Sequence, residues 1–288
     1  MPTASEITGA VVNKALSLGA DIAGVAGVDA LRGSPSHLLY PKIGSDLDTH
    51  WPDGDKRQEV AWPAEARSVV VIGVSHPEEK PEMDWWDGKG TSGNRILMRI
   101  NRDLSAWVET SFACRTWKMP YLIEKGGIFL KDAAVMAGLG CVGSNNLVIT
   151  PRFGARVRFR ALLLSLEAQP TGPVTFDPCQ GCEQFCRRAC PVDAFAEQVY
   201  SSEIMHQSIL PGTDGSYDRV VCNQKMGLDI DEAVQALADQ DEEQQALRTS
   251  IDAFESGTLP GAKDDYGYAV KYCRLCELGC PVGNEEPE

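Results

Sequence analysis

Two cysteine runs near the C-terminus hold the side chains best suited to chemistry. The first places Cys179, Cys182, Cys186 and Cys190 within twelve residues and ends in Pro191. The second places Cys273, Cys276 and Cys280 together and ends in Pro281, with Cys222 between the runs. Thiolates this closely spaced wrap iron–sulfur cubes, and in two-cluster chains the cysteine before proline ligates the other cube. These eight thiols suffice for two 4Fe–4S clusters. The expected partition is Cys179, Cys182 and Cys186 with Cys280, and Cys222, Cys273 and Cys276 with Cys190. Zinc is the rival, but zinc sites pair C-x2-C elements or Cys and His around one tetrahedron. Here each run ends in Cys-Pro, and the second needs outside ligands. One departure stands: three residues separate Cys182 from Cys186 where the bacterial pattern has two. The extra residue either lengthens a loop or changes the role of Cys186. Two interlocked cubes would make this segment an electron wire.

A glycine loop, Gly138-Leu139-Gly140-Cys141-Val142-Gly143, matches G-x-G-x-x-G. A dinucleotide site needs that loop to follow a strand and open a helix. Here a helical segment precedes it and an extended one ending at Thr150-Pro151 follows. A turn whose glycines adopt positive φ is the structural alternative.

These residues must be positioned by the rest of the chain. Its 288 residues allow one large or two ordinary domains. A helix is expected over residues 4–19, with Ile7, Val11, Ala15 and Leu18 on one face and Gly19 as its stop. A long amphipathic helix follows from Ile96, Leu97, Ile100, Leu104, Trp107 and Val108, and a short one over residues 129–137. Strands are expected at residues 21–26, 68–74, 147–150 and 157–166; the β-branched run at 68–74 reads as fully buried. Residues 33–66 and 77–93 read as irregular, Cys114 as helical core, and Pro170 to Pro178 as a hinge-like linker. Residues 1–175 then form one domain and 176–288 a cluster domain with an acidic helical insert at about 223–272.

Charge is uneven. Residues 1–175 balance 19 Lys and Arg against 19 Asp and Glu, so residues 176–288 carry the whole net charge of -14. An acidic half disfavours phosphate backbones. No apolar run suggests a membrane span, and the N-terminus lacks a signal peptide, so the cytoplasm is the expected compartment.

The glycine loop with Asn145-Asn146-Leu147, Ile149-Thr150-Pro151 and Gly154, followed by two Cys-Pro-terminated runs, resembles the superfamily of epoxyqueuosine reductases and reductive dehalogenases. The segments at residues 18–25 and 66–71 are similar to it too. The resemblance implies an α+β fold: a nitroreductase-like, corrinoid-binding core followed by a bacterial-ferredoxin-like two-cluster domain. It implies a base-off cobalamin without a histidine ligand; none of the four histidines sits in an Asp-x-His-x-x-Gly motif. Gly138, Leu139, Gly140, Cys141, Gly143, Asn145, Asn146, Thr150, Gly154 and Arg158 would line that corrinoid. Cys141 stands where relatives usually carry tryptophan, so it either approaches the corrinoid or is an inert core thiol. Arg156, Arg158 and Arg160 grip an anion or form an exposed polar face.

Reductive cleavage consumes protons. Glu124 occupies the spacing of the epoxyqueuosine reductases' aspartate, and the alternative is a solvent-facing pair with Lys125. Tyr121 is the second candidate acid, by analogy with the tyrosine of dehalogenases. The expectation is a cobalamin-dependent iron–sulfur reductase of a small molecule, fed by a ferredoxin or flavodoxin. The acidic half, and the absence of a helical-repeat tail after Pro281, make nucleic acid an unlikely partner on this reading. A non-catalytic electron carrier or corrinoid-protein reactivator is one alternative, and an epoxyqueuosine reductase acting on tRNA is another.

Overall fold

Strand β2 (Ser68–Ser75) shows why the sheet lies in the middle of the molecule. Val69 and Val71 pack into one apolar cluster, while Val70, Ile72 and Val74 pack into a second on the opposite face. Successive strand side chains point to opposite faces, so a run without polar residues needs a layer on each side. The computed structural model describes residues 2–43, 58–77, 83, 91–238 and 273–283. Its fold is mixed α/β.

The central sheet is antiparallel, in the order β1 (Ile22–Gly27), β2, β6 (Val157–Leu164), β3 (Thr116–Trp117). Helices α1 (Ala4–Ser17) and α4 (Ser92–Phe112) cover one face. The other face is covered by α2 (Val28–Arg32) and α5 (Leu130–Met136), with α3 (Pro35–Leu39) and a 3-10 turn at Tyr40–Lys42 beyond. Leu97, Ile100, Leu104 and Val108 form the buried stripe of α4. Each such side chain contributes about 1.5–3 kcal/mol on burial. Thr3 and Glu6 close a reciprocal capping box on α1. Ala113, in the left-handed conformation, ends α4. Cys114 therefore lies just beyond the helix and not within it, packed against the α4 side of the core.

A hairpin of β4 (Cys141–Val142) and β5 (Val148–Ile149) follows α5 and leads into β6. The cluster region is built from short helices α6 (Phe185–Arg188), α7 (Ser202–Met205) and α9 (Leu275–Leu278), with α8 (Arg219–Ala238) between. The acidic insert is helical as far as Ala238, and its remainder lies outside the described residues. Residues 33–66 are not wholly irregular, since α3 lies there. Residues 170–178 are not a free hinge. The Thr171 hydroxyl donates to the Ala137 carbonyl at 2.6 Å and accepts from the Val25 amide at 2.8 Å, fastening the linker to β1 and α5.

Candidate functional site

The eight thiols separate into two electrostatic sets. Burial raises the Cys186 pKa, and Cys280, Cys179 and Cys182 act on it as well. Cys280 in turn feels Cys179 and Cys182. Burial raises Cys222 too, with Cys190 and Cys273 adding to it. Cys276 is pushed up to about 12 by burial, with Cys222, Cys273 and Cys190 as neighbours. Protonated thiols of this kind must release protons when they bind iron. Among the described residues no three His, Cys, Asp or Glu side chains converge on a single metal ion.

Local backbone explains the extra residue in the first run. Gln184 adopts a left-handed conformation (φ 54°) at the start of α6, which absorbs the insertion and buries Cys186 beside Cys280. Backbone amides then point at sulfur. Ser144 N donates to Cys179 Sγ and Ala194 N to Cys190 Sγ, each at 3.4 Å. Arg187, next to Cys186, donates from Nε to the Ser144 carbonyl at 2.8 Å and pairs with Asp214 through both terminal nitrogens.

The second run is mounted on the core by buried polar groups. Arg156 donates to the carbonyls of Cys280 (3.2 Å) and Val282 (2.7 Å). His76 Nδ1, at the end of β2, lies 2.7 Å from Arg274 Nη2 and 3.0 Å from Glu277 Oε1. Arg274 and Glu277 also bond each other. Asn145 donates to the Cys276 carbonyl at 3.1 Å. The hairpin tip thus touches both thiol sets, through Ser144 to one and Asn145 to the other.

The glycine loop is a joint within the chain. Gly138 has φ +72°, and a Cβ there would lie 2.8 Å from the Thr171 carbonyl oxygen. At Gly140 it would lie 2.0 Å from Ile149 O, and at Gly143 2.5 Å from Ile149 Cγ1. Gly154 (φ +56°) would place one 1.8 Å from Val282 O. Leu139 is core, Thr150 is fully buried and donates to the Gly154 carbonyl, and Asn146 accepts from the Gly212 amide. Cys141 packs beside Cys280 and near Cys179, so it faces the first thiol set. Arg158 lies against Gly93 of α4, and its charge reaches His76. The three arginines do not form an exposed face: Arg156 is buried under the second run, and Arg160 donates to Asn94 Oδ1 at 2.9 Å. Gly138, Gly140, Gly143, Asn145, Asn146, Thr150 and Gly154, assigned above to a corrinoid, are therefore occupied by contacts with the chain itself.

Glu124 and Tyr121 sit on the loop between β3 and α5. The Glu124 side chain is only 10 % exposed and pairs with Arg219, the first residue of α8. It is not a solvent-facing partner of Lys125. Tyr121 carries the Arg160 guanidinium 4.9 Å from its ring centroid, and desolvation raises its phenol above the ordinary value. Beside them lies a cavity of about 10 Å³ lined by Met119, Tyr121, Ile128, Leu130 and Arg160, room for about one water. Arg219 was missed at the sequence level, although a cation three residues before Cys222 was a usable signal. His76 gave none, since its partners lie about 200 residues away.

Comparison with known proteins shows what the chain is similar to. The chain is 27% identical over 206 residues to an epoxyqueuosine reductase of Gloeobacter violaceus, covering 68% of this chain and 62% of that one. A 68-residue stretch is 40% identical to a tetrachloroethene reductive dehalogenase of Desulfitobacterium hafniense, covering 23% and 12% of the two chains. The chain is thus similar both to epoxyqueuosine reductases and to reductive dehalogenases. No protein-family model matches it. Epoxyqueuosine reductase solved with an epoxyqueuosine-modified tRNA-Tyr stem loop shares the fold, with TM-score 0.57, 17% identity and coverage of 98% and 66%. A catabolic reductive dehalogenase matches with TM-score 0.53, 18% identity and coverage of 78% and 30%. The chain spans about 62% of the length of the first of these curated relatives.

The relatives overturn the exclusion of nucleic acid, because epoxyqueuosine reductases recur among them and one is solved on a tRNA stem loop. The physical reason is that net charge averages over surfaces a ligand never touches. Residues 239–272 and 284–288 alone hold eleven Asp or Glu against three Lys or Arg. No described helix is long and apolar enough to cross a membrane.

Proposed function

We propose that the chain is a two-cluster iron–sulfur reductase that opens the epoxide of epoxyqueuosine in tRNA. The observation that carries this reading is the link from thiol to acid: Arg219, three residues before Cys222, holds the Glu124 carboxylate. Residues 1–175 form the reaction domain and residues 176–288 the wire. The relatives' names supply the substrate.

Reductive opening of an epoxide carbon–oxygen bond takes up two electrons and two protons. Two cubes, each passing one electron at a time, match that electron demand. An external donor would meet the first cluster, whose loop from Gly181 to Phe185 is largely exposed. Electrons would leave from the second cluster, the one beside Glu124. Tyr121 would supply one proton from its phenol, and Glu124 would pass on the other after taking it up from solvent. The resemblance implies a cobalamin as well. No step here runs through it.

The test is conversion of an epoxyqueuosine-bearing tRNA stem loop by the anaerobically reconstituted chain, given a low-potential reductant and cobalamin. Loss of the epoxide, read by mass spectrometry of the released nucleoside, supports the reading. An unchanged nucleoside with both clusters present overturns it.

A further inference from the structure

Lys131 lies beside the second thiol set, and no step above uses it. It leaves the first turn of α5 and donates from Nζ to the Asn146 carbonyl. Its ammonium stands 6.0 Å from the centroid of the Tyr217 ring. Tyr217 neighbours Cys222, and its hydroxyl counters part of the rise that burial imposes on that thiol. Asn145, adjoining Asn146, holds the Cys276 carbonyl. Lys131 is therefore fixed by groups that themselves touch Cys222 and Cys276.

The neighbouring charges are committed. Arg219 pairs with Glu124, Lys225 with Asp229, and Asp132 accepts from the Ser36 amide and hydroxyl at 2.8 and 2.6 Å. Lys131 itself meets a neutral carbonyl and an aromatic face. Burial pushes its pKa down to about 8, with Cys222 the largest influence holding it up and Cys276 and Asp132 adding to that. Arg219 acts in the opposite sense.

Adding an electron makes a cube one unit more negative. A nearby cation, screened little in a low-dielectric setting, stabilises that state. We propose that Lys131 is a redox-tuning residue for the cluster held by Cys190, Cys222, Cys273 and Cys276, its charge raising that cluster's reduction potential. This rests on the two-cluster reading above. It gives the wire a direction, because the cluster beside Glu124 becomes the better electron acceptor.

The test is an anaerobic redox titration of the full-length holoprotein, followed by electron paramagnetic resonance, for the wild type, Lys131→Arg and Lys131→Met. Lys131→Met is expected to lower one potential and leave the other in place, while Lys131→Arg keeps both. The expected drop changes the reduced fraction of that cluster about tenfold at fixed potential, equivalent to ~59 mV for one electron. Two unshifted potentials in a Lys131→Met protein with full iron content overturn the proposal. Should that variant lose iron, Lys131→Gln keeps a donor for Asn146 without the charge and is read by the same criterion. Iron content of the wild type separates the two claims, since a wild-type chain without eight irons sinks the cluster assignment itself.

Discussion

Arg219 grips Glu124 across the join between the two halves of the molecule. The guanidinium comes from the first residue of α8 and the carboxylate from the loop after β3. If Glu124 supplies a proton, Glu124→Gln lowers single-turnover rate by about 10²–10⁴-fold, the usual worth of general acid catalysis. Iron content stays at the wild-type level. An unaltered rate assigns the acid elsewhere.

Arg219→Met separates holding the loop from chemistry. Loss of a charge-assisted hydrogen bond costs about 1.5–3 kcal/mol. The unfolding free energy is expected to fall by that amount, and protease cutting in residues 118–129 to rise. Equal cutting in both proteins would show that Arg219 does not fix this loop.

Arg156 is the strut under the second run. Replacing it with Met leaves the Cys280 and Val282 carbonyls without their donor, and each buried unsatisfied group costs about 1–3 kcal/mol. Chemical denaturation under anaerobic conditions should register the loss. Iron bound through Cys280 should also be released faster to a chelator.

Two glycines respond oppositely to alanine. At Gly154 a Cβ would meet Val282 O at 1.8 Å, and the left-handed backbone adds strain. Overpacking costs about 1–3 kcal/mol, occasionally more. Gly9 in α1 has nothing within 4 Å of an added Cβ, so Gly9→Ala stabilises by about 0.5–1 kcal/mol. Equilibrium unfolding of both variants against wild type checks the pair.

His37 gives acid sensitivity away from the clusters. Burial lowers its pKa from 6.5 to about 4, against a raising influence from Asp132. Its ring nitrogens contact Ser34 Oγ at 2.9 Å and the Phe129 amide at 3.3 Å. The folded state resists protonation more than the unfolded state, so this stability is complete above pH 6.5 and falls as pH drops toward 4. The loss reaches about 2 kcal/mol by pH 5. Comparing the pH 7-to-5 loss of wild type with that of His37→Gln measures it; equal losses would discount His37.

What could be read in the sequence follows from how local each signal is. The β-branched run at residues 68–74 and the stripe from Leu97 to Val108 were legible because burial repeats at the period of the element. The cysteine partition rests on Cys-Pro spacing, which constrains which thiol reaches which cube. The glycine loop was harder. Its glycines serve close backbone approaches to Thr171, Ile149 and Val282, partners 6 to 128 residues away that spacing does not reveal. The linker at residues 170–178 misled because Pro and Gly mark irregular backbone without saying whether it is fastened. Charge misled more, since a total of -14 says nothing of where the acids lie.

The central claim is that two clusters deliver two electrons to an epoxide beside Glu124. The direct measurement pre-reduces the reconstituted chain, removes excess reductant and mixes it anaerobically with the epoxyqueuosine stem loop while cluster absorbance is followed. Reoxidation of both clusters in step with loss of one epoxide per protein is the predicted result. Clusters that stay reduced over an unchanged stem loop would contradict it.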